Sequence, residues 1–163
     1  MMICLKNNNT LCVDDFQFRC SIGKYGLNKK KIEGDKCTPI GKFKLTGLFY
    51  RNDRIKNIKT KINKKIIKRN LGWCNESGHK LYNRPIKVDK NISHEKMFRS
   101  DNKYDLVIVL DYNLNKTVAG KGSAIFIHVT NNYLPTAGCI ALNKKDLLIL
   151  LKLITKDTYI KIN

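Results

Sequence analysis

Pro135-Thr136-Ala137-Gly138-Cys139-Ile140-Ala141-Leu142 follows closely on Ile127-His128. This order decides how the rest of the chain is read. Residues 123–129 are apolar and β-prone, so they read as a buried strand with His128 at its end. A turn and loop follow, and Gly138 lets the backbone bend sharply just before Cys139. From Asn143 the pattern becomes helical, with Asn143 a good N-cap and Asp146 near the positive end of the helix dipole. The topology allows His128 and Cys139 to meet across the loop. A free thiol has a pKa of about 8.5 and needs a base or a stabilising cation at neutral pH. His128 can take that proton. The N–H groups of Gly138 and Cys139 can form an oxyanion hole, worth about 3 kcal/mol per donor in the transition state. The chemistry indicated is acyl transfer through a thioester. The plainer alternative is an inert buried cysteine and a core histidine.

Outward from this stretch the chain reads as mostly β with one main helix at 143–154. Strands are expected at 1–6 and 10–22 around the Asn7-Asn8-Asn9 turn, where Phe16, Phe18 and Cys20 alternate with polar residues. Residues 23–41 hold five Gly or Pro positions and read as a loop. Strands follow at 42–49, 104–110 and 158–162. Residues 51–70 carry nine Lys or Arg and one acid. Ile55, Ile58, Ile62 and Ile66 fall at near-helical spacing, but a solvated excursion with strand-like pieces is the preferred reading. A helical turn capped by Ser93 is expected at 93–98.

At 163 residues the chain fits one domain, 1–163, with a proper core. The 32 Lys+Arg against 13 Asp+Glu give a net charge of +19, a field that attracts polyanions. The cations are dispersed, and Lys, Asn and Ile all have A/T-rich codons, so base composition is an equal explanation. The six cysteines show no C-x-x-C pair, which argues against a zinc knuckle or a redox pair. They read as small core residues, at ease in a reducing compartment. No secretory leader and no run of about 20 apolar residues is visible.

Ile127-His128 with Thr136-Ala137-Gly138-Cys139-Ile140 resembles the active-site signature of the L,D-transpeptidase catalytic (YkuD-like) domain. Upstream, Thr38-Pro39-Ile40-Gly41-Lys42-Phe43 resembles that family's Thr-Pro-x-Gly-x-Phe segment. The two matches keep their order and span residues 16–160. The resemblance implies a β-sandwich-like fold of mixed sheets and a peptidoglycan stem peptide as substrate. Cys139 would attack the third stem residue's carbonyl, the terminal D-Ala would leave, and an amine or water would resolve the thioester. His128 would be the base, and the N–H of Gly138 would help hold the oxyanion. The common Ser-His-Gly-Cys-x-Arg pattern has Ala137 and Ala141 here in place of His and Arg.

The middle of the chain offers further candidates for the substrate: Trp73, Tyr82, Asn83, His94, Glu95 and Arg99, beside Thr136. Trp73 and Tyr82 could flank an extended peptide, and Arg99 could clamp a carboxylate in place of the missing arginine. An ion-pair cluster of His94, Glu95, Arg99 and Asp101 is the structural alternative. A metal site at Cys74, His79 and His94 fits no standard spacing, so neither metal nor cofactor is expected. The leading function is an L,D-transpeptidase making 3–3 cross-links. The alternatives are an L,D-carboxypeptidase or endopeptidase with the same thiol, and a non-catalytic basic protein binding an anionic wall polymer or nucleic acid. No nucleic-acid signature appears, and a monomer is expected. The substrate class points to the cell envelope or periplasm. The lack of a visible leader leaves the cytoplasm open.

Overall fold

The computed structural model describes residues 1–29 and 31–163. It contains strands β1 (Met2–Lys6), β2 (Thr10–Val13), β3 (Phe16–Ser21), β4 (Leu27–Asn28), β5 (Thr38–Pro39), β6 (Gly41–Tyr50), β7 (Lys64–Ile66), β8 (Leu71–Cys74), β9 (Pro85–Lys87), β10 (His94–Lys96), β11 (Leu106–Leu110), β12 (Phe126–Val129), β13 (Ile140–Leu142) and β14 (Tyr159–Ile162), with helix α1 (Lys144–Leu153) before the last strand. The fold is mostly β, of mixed sheets with one helix, as the L,D-transpeptidase resemblance implied.

The largest sheet runs β11-β12-β13-β3-β2-β1-β14-β6-β7, and β11 also pairs with β6. β6 is long enough to do both jobs. Its first half, from Gly41 to Lys44, pairs with β14, and its second half, from Leu45 to Tyr50, pairs with β11. The circuit of strands therefore closes on itself through β6 and β11, and β7, paired with β6 alone, remains as an edge. Parallel pairs (β1 with β14, β12 with β13, β6 with β7) sit among antiparallel ones. A smaller sheet, β10-β8-β9, packs beside it.

Two apolar clusters lie on opposite faces of β11 and β12. Leu106, Ile108, Leu110, Ile127 and Val129 join the main core with Leu147, Leu150 and Leu151 of α1. Val107, Val109 and Phe126 face a second cluster with Phe49, Trp73, Met97, Tyr104 and Cys139. This two-sided burial explains the unbroken apolar run at 106–110. Asn143 caps α1 through its Oδ1, which accepts from Lys145 N–H at 2.8 Å, and Asp146 lies in the first turn.

Three local expectations are corrected. Residues 23–41 are not loop throughout, because β4 and β5 pair there in parallel. Residues 51–70 form no helix and carry a strand-like piece, β7, as the preferred reading had it, but they are less solvated than expected. Ile55, Ile58 and Ile62 are buried one by one against the main core, while Ile66 is exposed at 43% in β7. Residues 93–98 are not a helical turn. His94–Lys96 pair with Cys74, Trp73 and Gly72 of β8, and the Ser93 hydroxyl donates to Asn75 Oδ1. A three-residue polar strand carries too little alternation to be recognised locally; its partner strand defines it.

All six cysteines are free thiols. Among the described residues no helix is long and apolar enough to cross a membrane.

Candidate active site

β12 and β13 run parallel, with Ile127 opposite Ile140 and His128 opposite Ala141. Cys139 stands two residues before Ala141 along this extended chain, so its side chain leaves on the same face as that of His128. Both side chains line one cavity of about 190 Å³, with Glu95, Arg99, Tyr104 and Thr136 in its wall. Cys139 is buried, 8% exposed as a whole residue.

The thiol is held from two sides. Cys139 Sγ–H donates to the Ala124 carbonyl at 3.2 Å, and Phe126 N–H donates to Sγ at 3.4 Å. Burial pushes the thiol up to about 12, against a smaller favourable effect of the Phe126 N–H. His128 is buried too, and burial presses it down to about 4. The resting pair at neutral pH is therefore thiol and neutral imidazole. His128 Nδ1 lies 2.8 Å from the Val129 carbonyl. A carbonyl can only accept, so Nδ1 carries the proton and Nε2 keeps its lone pair for a thiol proton. The edge of the imidazole meets the Tyr104 ring, with centroids 5.3 Å apart.

The loop before Cys139 is fixed by threonines. Thr136 Oγ1 donates to the Cys139 carbonyl at 2.6 Å and accepts from Gly138 N–H at 3.1 Å. This changes two expectations. Thr136 spends its hydroxyl on the loop, although the residue still lines the cavity. The Gly138 N–H is committed to Thr136 and is not free for an oxyanion, whereas the Cys139 N–H takes no part in this clasp. Gly138 is required for its backbone. Its φ is +134°, and a Cβ there would stand 2.8 Å from the Cys37 carbonyl oxygen.

Adjacent residues of a strand face opposite ways, which separates His94 from Glu95. Glu95 faces the cavity. The His94 ring packs on Gly72 instead, and its Nδ1 lies 2.7 Å from the Ile92 carbonyl. Arg99 reaches the cavity with one edge already occupied. Its Nε and Nη2 donate to the two oxygens of Asp101 at 2.9 and 2.7 Å, and Nη1 donates to Glu95 at 3.3 Å. The ion-pair cluster is thus Glu95, Arg99 and Asp101, without His94. A bidentate clamp on a ligand through the Nε edge is not open to Arg99.

Trp73, Tyr82 and Asn83 lie outside the cavity wall and are buried. Asn83 Oδ1 accepts from Trp73 Nε1 at 2.9 Å and from Ala124 N–H at 3.0 Å. Its Nδ2 donates to the carbonyls of Tyr112 and Asn113. Tyr82 donates to Glu33 and accepts from Gly122 N–H at 3.0 Å. These residues support the site from behind: Ala124, held by Asn83, supplies the carbonyl that binds the thiol.

Sequence reasoning left out Tyr104. This buried residue lines the cavity, touches His128 and lies near Glu95. Burial and the nearby Cys139 and Glu95 hold its hydroxyl well above the ordinary tyrosine value. The only available signal was its place at the head of the β11 run. Among the described residues no three His, Cys, Asp or Glu side chains are grouped to hold a metal ion.

No curated protein and no solved structure matches the chain. The family model of the L,D-transpeptidase catalytic domain (YkuD) matches residues 1–162, essentially the whole chain, and the protein belongs to this family of cysteine-dependent peptidoglycan enzymes.

Proposed function

We propose that residues 1–163 act as one catalytic unit that acylates Cys139 with a peptidoglycan stem peptide and passes the acyl group to an amine, as an L,D-transpeptidase. The observation that carries this reading is the shared face and cavity of His128 and Cys139 on neighbouring parallel strands. His128 Nε2 takes the thiol proton as sulfur attacks the stem carbonyl. The S–C bond forms, and the Cys139 N–H stabilises the oxyanion. The C–N bond to the terminal D-amino acid then breaks, and His128 returns the proton to the leaving amine. An incoming amine attacks the thioester, its surplus proton passes through His128 to sulfur, and the thiol is regenerated. The work is done in the cell envelope, where such stem peptides lie.

The test uses disaccharide tetrapeptide with the intact protein. The expected result is release of D-Ala, an acyl adduct on Cys139 and cross-linked dimers. A Cys139→Ala variant of unchanged fold should release none. Turnover by that variant, or a wild-type protein that never gains the adduct, defeats the assignment.

A further inference from the structure

Among the described residues Glu95 is the single carboxylate in the cavity wall; the other ionisable side chains there are Arg99, Lys103, Tyr104, His128 and Cys139. A carboxylate facing a nucleophilic thiol is unhelpful to the thiol, because its charge opposes ionisation of Cys139. Its value must lie with something else that enters the cavity. Its hydrogen-bonding capacity points the same way. An ionised carboxylate has about four acceptor positions. Arg99 Nη1 takes one at 3.3 Å, and the Tyr104 hydroxyl lies near another. The Glu95 side chain is 33% exposed, so the remaining positions are open toward solvent. Its partners hold it in place: Asp101 fixes Arg99 from the far edge, and the Tyr104 ring is wedged against His128 and Phe126.

We infer that Glu95 is the binding site for the primary ammonium group of the acyl acceptor, presented to the thioester on Cys139. This rests on the thioester reading above and adds the residue that selects an amine over water. The acceptor arrives as R–NH3⁺ and hydrogen-bonds the free positions of Glu95. It loses one proton to solvent, and its nitrogen forms the new C–N bond as the C–S bond breaks. The second proton passes to His128 and then to sulfur. Arg99 and Tyr104 position Glu95 without touching the acceptor nitrogen.

The experiment reads how one acyl-enzyme is partitioned. The wild type and Glu95→Gln are each given disaccharide tetrapeptide as donor. Each is then offered one of two nucleophiles: a tripeptide ending in a diamino acid, whose accepting side-chain amine is cationic, or hydroxylamine, which is uncharged at neutral pH. The ratio of captured to hydrolysed product is independent of the acylation rate. In Glu95→Gln the ratio for the tripeptide with its cationic amine should fall about tenfold, equal to roughly 1.4 kcal/mol. The ratio for hydroxylamine should stay within twofold. Glu95→Asp, which keeps the charge, should recover part of the tripeptide ratio. The inference is overturned if both ratios fall together, if neither moves, or if the wild type makes only hydrolysed product. A wild type that forms no adduct on Cys139 refutes the thioester reading itself.

Discussion

The Thr38 hydroxyl donates a 2.8 Å hydrogen bond to the Gly138 carbonyl across 100 positions of sequence. Thr38 is fully buried, and its oxygen also accepts from Gly23 N–H at 2.9 Å. One side chain therefore ties the Thr-Pro segment of β5 to the turn that aims Cys139. Thr38→Val keeps the shape and strands both backbone partners, at a cost on the order of 3 kcal/mol. Urea unfolding should show that loss, and adduct formation at Cys139 should slow. Thr38→Ser should restore most of both. A valine variant with unaltered midpoint and acylation would show that the bond does not hold the turn.

The environment of His128 makes a pH prediction. Its value falls from the ordinary 6.5 to about 4, chiefly through burial. For a base that must be neutral, the acid limb of kcat/KM should lie near pH 4, leaving acylation level between pH 6 and 8. The same shift acts on stability. The folded value is depressed, so the contribution is complete above about pH 6.5 and is lost as pH falls through 4, a total of about 3 kcal/mol. His128→Gln should flatten that part of the stability curve, as followed by denaturant titration at each pH. His128→Ala should slow acylation by roughly 10²–10⁴. An acid limb near 6.5 would mean that the imidazole is better solvated than its burial implies.

Asn83 makes a third case. It bonds Trp73, Ala124 and the carbonyls of Tyr112 and Asn113 with both ends of its amide. Asn83→Asp keeps the acceptor and loses two donors while burying a charge. It should lower stability by about 3 kcal/mol or more. It should also loosen the Ala124 carbonyl that accepts from the thiol, so Cys139 should become more reactive to alkylating agents in the folded protein. Thermal unfolding and alkylation rates measure the two effects separately. Lower stability with unchanged thiol reactivity would confine Asn83 to scaffolding.

The elements that sequence reasoning placed well are those with strong local signals. The doubly buried runs at 106–110 and 126–129 and the capped helix from Asn143 are of this kind, and they set the register of His128. The misplaced candidates depend on distant partners. Nothing near Asn83 announces that its amide will bind residues 112, 113 and 124. His94 and Glu95 could both point at the thiol only if residues 93–98 were helical, and pairing with β8 turns one of them away. Tyr104 went unranked for a similar reason: its neighbours His128, Phe126 and Glu95 come from three other segments.

The resting state of Cys139 distinguishes two kinds of thiol enzyme. In one the thiolate exists beforehand as an ion pair with imidazolium. In the other the proton moves only as the substrate is attacked. Burial raises Cys139 to about 12 and lowers His128 to about 4, and Sγ–H is already donated to Ala124. These observations fit the second kind. At pH 8 iodoacetamide should therefore label the half-buried Cys4 and Cys12 first. Cys139 should lag an ordinary thiol by about 100-fold or more, because so little of it is thiolate. A stem-peptide donor should still acylate Cys139 promptly, since it brings a carbonyl into a site where His128 can take the proton. Peptide mapping after timed labelling reads the first rate, and intact mass after donor addition reads the second. Rapid alkylation of Cys139 at pH 7, ahead of Cys4 and Cys12, would establish a preformed ion pair and refute proton transfer during attack.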